Sequence, residues 1–490
     1  MIDRRAFLQL GSALAASSML ACDRLPPWLL AQQPAFDDAA FAPPVNAHVD
    51  LVSHVIARLS YGARPGEYAR VRALGRSQEA AVDAYIREQL APEALEDAHA
   101  DAALRQLSML ELPAGELFEF KAPVLLESMT RGTLVRTLLS TRQLHEVMVE
   151  FWSDHFNIDS SKGDCRWLKA HDDRVVVRAN AMDSFAALLR ASALSPAMLW
   201  YLDGRVNRRT IAGEKPNENY ARELFELHTL GVHGGYTQQD VMEAARALTG
   251  WTVRAVGESS FGLGRVEFIP ERHDDGEKVI LGQRIAAGGG AQDIDRLVEI
   301  VCAHPATATH IATKLCRRFI DDDPPADAVR AVADTFRRGG GDIRPTLHTL
   351  FSTPDFLASR QRKLKRPLHF VVSALRVTGA VSDAGPALQE YLTRMGHAPF
   401  QYPTPDGYPD EASAWTGTLL WRWNFAMALQ RNRIHGTQVD LASLERRAGG
   451  RRHLAAHVLG RQPTPHEWAA HESTPDTLAL LLASPAFQRT

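Results

Sequence analysis

The stretch KPNENYARELFELHTLGVHGGYT, Lys215 to Thr237, decides the fold class. Pro216-Asn217 opens a helix, Tyr220, Leu224 and Leu227 recur at three- and four-residue steps, and Gly231 stops it. Thr237 with Asp240 three residues on is a capping box, so a second helix runs from Thr237 to Thr249. The same spacing recurs over Ala47 to Leu59, Ser77 to Leu90, Thr133 to Phe156, Met182 to Leu194, Ala306 to Phe319 and Ala326 to Arg337. Strand signals are confined to one place, where Val266 to Ile269 and Val279 to Leu281 flank an Asp-Asp-Gly turn. The expectation is a mostly α fold: one large helical domain over residues 47–433 with a small β-hairpin insert, and a helical tail, 434–490, packed on it or extending it.

The first residues read differently. Asp3-Arg4-Arg5-Ala6-Phe7-Leu8-Gln9 has the form of a twin-arginine export signal, and the weakly apolar run from Leu10 to Ala21 is too short to span a membrane permanently. Met19-Leu20-Ala21-Cys22 partly resembles a lipoprotein cleavage box, with Cys22 as the acylated residue and Met19 in place of the usual Leu. Residues 1–22 are therefore expected to direct the chain to the periplasm or another extracytoplasmic site, either released or lipid-anchored, with residues 23–46 as a Pro- and Ala-rich tether.

A formal net charge of -3 argues against a nucleic-acid partner, which calls for a basic surface. Past the signal, no apolar run is long enough for a transmembrane helix. Cys165, Cys302 and Cys316, an odd number without CxxC spacing, exclude a disulfide framework and a zinc-finger cluster. Nor is there a G-x-S-x-G elbow, an HExxH pair, a P-loop or a haem-attachment motif.

Candidate chemistry rests on scattered side chains. On a helical wheel Asn219, Arg222, Glu223 and Glu226 share one stripe, while Tyr220, Leu224, Leu227 and His228 share another. The polar stripe is either a solvated face with an Arg222–Glu226 ion pair or the wall of a cleft in which Glu223 and Glu226 act as catalytic carboxylates. His155 lies on the apolar stripe of Leu144, Met148 and Phe151, so its ring is buried and its nitrogens require partners. It is a satisfied core histidine, a catalytic base or a metal ligand. His273-Asp274 beside the turn could join His155 as a ligand set for a divalent transition metal such as zinc, manganese or iron, although Asp-Asp-Gly also serves simply to make a turn. Trp415, Trp421 and Trp423, with Tyr402 and Tyr408, would offer either a stacking platform for sugar rings or part of the core.

NENYARELFELHTLGVHGGYTQQDVMEAARALTGWT, EFWSDHFN, HDDGEKVILG, HPATATHIATKLCRRFI and RLSYGARPGE together resemble the bacterial family catalogued as domain of unknown function 1800, over about Ala47 to Phe425. The resemblance implies a largely exported, helical protein without an agreed activity, often encoded beside a second exported family. Where that family usually shows Arg-x-His-Ala-Leu-Gly, this chain reads Arg178-Ala179-Asn180-Ala181-Met182-Asp183, so a histidine is absent. Two functions stay open: a metal-dependent hydrolase or oxidoreductase of the cell envelope, or a helical adaptor that binds another exported protein.

Replacing Arg4 and Arg5 by Lys keeps the charge and removes the guanidinium geometry. Cell fractionation is expected to find that variant retained in the cytoplasm; export as efficient as wild type would remove the twin-arginine reading.

Overall fold

The computed structural model describes residues 41–211, 214–254, 262–472 and 474–490, so Arg4, Arg5 and Cys22 lie outside the described residues. The fold is mostly α, with three small two-stranded antiparallel sheets.

Helix α1, Gln143–His155, buries Leu144, Val147, Met148, Phe151, Trp152 and His155, the apolar stripe expected from the sequence. Helix α2, Asn219–Glu223, continues through Leu224–His228 with the wider hydrogen-bonding step of a π-helix. Helix α3, Gln238–Ala247, starts at the Thr237/Asp240 capping box, with both reciprocal hydrogen bonds present. Helix α4, Pro305–Phe319, has Pro305 in its first turn and buries Thr307, Ala308, Ile311, Ala312, Leu315, Cys316 and Phe319, again at three- and four-residue steps. Helix α5, Pro367–Thr378, is buried at every position. Helices α6, Leu419–Gln430, and α7, Thr477–Ala483, pack on one another, and Leu478, Leu481 and Leu482 join the main core.

The small β insert is present, but its strands pair differently from the expected hairpin. Strand β1, Trp251–Val253, pairs with β2, Val266–Phe268, and β3, Lys278–Ile280, pairs with β4, Gln283–Ile285. Two local causes redirect the chain. Pro270 opens a short 3-10 turn over Pro270–Arg272 that ends β2, and Leu281 and Gly282 both take positive φ, 51° and 74°, the two-residue turn whose twist suits a tight hairpin. The third sheet pairs β5, Val381–Ser382, with β6, Thr437–Gln438. Cys165, Cys302 and Cys316 are free thiols, Cys302 half-buried and the other two buried.

A buried ion network lies beneath α1. Glu150 faces Arg366 at 2.5 Å and Arg318 at 2.6 Å, and accepts a hydrogen bond from the Tyr61 hydroxyl at 2.8 Å. Arg366 also lies 2.7 Å from Asp154, and Arg318 lies 3.0 Å from Asp410. One carboxylate on α1 thus joins α4, the residue that caps α5 and, through Asp410, the Pro/Gly crossing that precedes α6. Glu150→Ala leaves two buried guanidiniums without their shared partner, and is expected to cost about 3–5 kcal/mol of stability. Urea denaturation reads this directly; a loss below about 1 kcal/mol, the size typical of surface pairs, would show that the network is not structural.

Candidate functional site

Helix α2 ends where no further turn can donate N–H groups to its last carbonyls, the usual condition of a helix C-terminus. Thr229 donates to the Leu224 carbonyl and the Gly231 N–H to that of Phe225. The carbonyls of Leu227 and His228 are met from other helices: His310 Nε2 of α4 lies 3.1 Å from the first, and His155 Nε2 of α1 lies 3.0 Å from the second. Gly231, at φ 80°, allows α4 this close, because a Cβ there would lie 2.8 Å from His310 Nδ1.

A neutral imidazole that donates from Nε2 to a carbonyl keeps a bare lone pair on Nδ1. The three histidines here are neutral: burial lowers His155 well below the usual range, His228 to about 3 and His310 to about 4, with the Lys314 ammonium acting in the same direction on all three. His155 Nδ1 is buried without a hydrogen-bond partner, and so are both nitrogens of His228. The His155 ring centroid lies 6.0 Å from that of His228 and 6.2 Å from that of His310.

Lys314 follows His310 by one turn of α4 and has no hydrogen bond or ion pair among the described residues. Burial lowers its amine below the normal lysine range, while Asp410, Asp154 and Asp406 pull the other way. Asp154, beside His155, is raised to about 6; burial is the main cause, and repulsion from Glu150 and Asp410 adds to it against the Arg366 guanidinium. The Gly407 turn brings the crossing down on this helix end: a Cβ at Gly407, where φ is 74°, would lie 2.1 Å from the Asp154 carbonyl oxygen. Asn157 fixes the same loop by donating to the carbonyls of Tyr402 and Thr404. At the rim, burial and the neighbouring charge of Glu226 raise Glu223, and Asp406 contributes in the same sense. Glu226 lies 3.7 Å from Arg222, the ion pair expected of a solvated face.

The structure therefore brings α1, with His155, against α2, which carries Glu223 and Glu226. It does not bring His273 and Asp274 to them. His273 Nδ1 lies 2.9 Å from the Thr249 carbonyl and its Nε2 lies 3.2 Å from Asp293, while Asp274 pairs with Arg209 and with Arg246 at 2.7 Å. His155 and His273 share no hydrogen-bond or ring partner. Among the described residues no group of three or more His, Cys, Asp or Glu side chains is disposed to hold a metal ion. The expected ligand set of His155, His273 and Asp274 is corrected accordingly. The Asp-Asp-Gly segment instead spends its polar groups on holding β3 and the start of helix Asp293–Ala303, where Lys278 Nζ lies 2.6 Å from Asp293.

Sequence reasoning missed Asp154, His310, Lys314 and Asp406. The signals present were Asp154 next to His155 and the four-residue spacing of His310 and Lys314, but neither specifies which face meets which helix. Trp415 is core, donating to the Pro409 carbonyl, and Trp423 is exposed. Asn180, where the expected histidine is absent, donates to the Val176 carbonyl of its own turn.

Over residues 54–489 the chain matches the family described as Protein of unknown function (DUF1800), and it belongs to that family. No curated protein and no solved structure matches it.

An aspartate whose folded value lies above its unfolded one binds a proton earlier in the folded state, so its contribution to stability is present at low pH and fades as pH rises through about 6. Asp154→Asn is therefore expected to gain about 1–3 kcal/mol relative to wild type between pH 4 and pH 7. Parallel denaturant titrations measure the difference, and a constant offset across that range would contradict the raised value.

Proposed function

We propose that this member of the domain of unknown function 1800 family is an exported acid–base hydrolase, with its reaction centre where α1, α2, α4 and the Gly407 loop meet. The observation that carries this reading is Lys314: a half-buried amine with no ion pair among the described residues, beside three neutral imidazoles, two of which, His155 and His228, hold buried nitrogens without a partner, and a carboxyl group raised to about 6. Groups pushed toward neutral pH from opposite directions are those suited to giving and taking protons.

The roles follow from the protonation states. Asp154 in its acid form donates to a leaving group, and the bare Nδ1 of His155 accepts a proton from the attacking water. Lys314, when charged, stabilises the oxyanion that develops. Glu223 and Asp406 at the rim orient a polar substrate. The twin-arginine segment at Arg4 and Arg5 supports an extracytoplasmic setting, with Cys22 as the candidate anchor point.

A second reading, the adaptor for another exported protein, draws on Leu419, Leu420 and Trp423, which stand exposed together at the start of α6.

The two separate in one experiment. Purified mature protein is assayed on chromogenic ester, amide and glycoside panels beside Asp154→Asn and Lys314→Met. The hydrolase reading expects turnover in wild type and a fall of about 100-fold or more in kcat for each variant, with Asp154→Asn no less stable than wild type and Lys314→Met folded with a cooperative melt. Turnover equal in all three proteins would rule this site out. Absence of turnover, together with a co-purifying partner lost on Leu420→Asp, would favour the adaptor.

A further inference from the structure

Away from that cluster, a cavity of about 50 Å³ lies between helix Leu51–Leu59, α5 and the last residues of the described chain. Ser53, His54, Lys365, Ser373, Phe487 and Arg489 are among its lining residues. Its polar centre is Lys365, which is only 7% exposed. The Lys365 ammonium sits 3.7 Å from the centre of the Phe487 ring and makes no hydrogen bond or ion pair among the described residues.

A second cation adjoins it. Arg422 is fully buried, and its guanidinium donates to the Lys365 carbonyl at 2.7 Å, to Thr418 Oγ1 at 2.8 Å and to Gln488 Oε1 at 3.4 Å, all neutral acceptors. Elsewhere in this protein the buried cations Arg318, Arg366, Lys169 and Lys278 each face a carboxylate, whereas Arg58 donates to backbone carbonyls, neutral acceptors like those of Arg422. Burial beside Arg422 disfavours the charged form of Lys365, an aromatic face compensates it by only about 2 kcal/mol, and a bound anion would favour that form.

We infer that this cavity is a binding site for a small monovalent oxyanion of the formate, acetate or hydrogencarbonate class, held by the Lys365 ammonium. The volume suits such an ion and excludes a nucleotide or sugar phosphate. Ser53, whose hydroxyl is buried without a partner, lines the same cavity and offers a second donor. Burial and the Arg422 charge lower the free amine to about 7, so the site is charged and receptive at pH 6 and loses its charge by pH 9.

The test uses the full mature chain and sodium formate, acetate and hydrogencarbonate as separate probes, titrated calorimetrically at constant ionic strength. Saturable binding of at least one probe is expected, weakening at least tenfold between pH 6 and pH 9 and lost in Lys365→Met. Because that variant could change folding, the Lys365 amine is also followed in wild type by NMR of ε-¹³C-lysine, where the bound anion is expected to raise its titration midpoint. No saturable binding at pH 6, equal affinity in Lys365→Met, or an unmoved amine midpoint in the presence of saturating probe would each overturn the inference.

Discussion

A single carboxylate organises the centre of this protein. Glu150 projects from the polar side of α1 onto two arginines, one on α4 and one immediately before α5, with Asp154 and Asp410 completing their coordination. A buried carboxylate in such a setting stays ionised, and Glu150 is held well below the usual carboxylate range despite its burial. The geometry is demanding because the desolvation of each ion is offset only when every partner is in place. Helices that apolar packing alone would leave free to slide are thereby fixed in register.

The candidate site grows out of that registration. Once α1 and α4 are fixed, His155 and His310 reach the two open carbonyls at the end of α2, and the π-helical stretch Leu224–His228 sets where those carbonyls point. Stretches of this kind often mark functional positions, since they break the regular pairing that would otherwise satisfy the backbone. The same contacts that close the helix end also fix the tautomers of two histidines, leaving Nδ1 bare on each. Structure and chemistry are not alternatives here: one nitrogen of each ring holds the fold and the other is available.

The charged groups above this floor divide by how fully they are paired. Asp410 is committed to Arg318, whereas Lys314 remains unpaired and Asp154 is only partly compensated by Arg366. His273 and Asp274 belong to a different system, in which Asp293 and the arginines Arg209 and Arg246 tie the small sheets to the helices. Both systems combine imidazole and carboxylate. They differ in that the second is fully satisfied and the first is not.

Much of the secondary structure was legible in the residues themselves. The stop at Gly231, the Thr237/Asp240 cap and the buried stripe of α1 follow from local rules that act over a few residues. His155 was legible as buried and in need of partners for the same reason. The pairing of the strands was not, because a proline turn and a Leu281-Gly282 turn outweighed the stronger-looking Asp-Asp-Gly signal. Nor could the wheel of a regular helix place residues 224–228, where the π step changes the rotation per residue. Which histidine meets which helix depends on contacts between segments about 70 to more than 150 residues apart, set by the close packing of whole helices and by the Glu150 network. The sequence by itself determined the helices, their caps and the residue types available for chemistry; only the tertiary structure decided that His155 stands with His228, His310, Lys314 and Asp154, since a periodicity defines a buried face but not the neighbour that covers it.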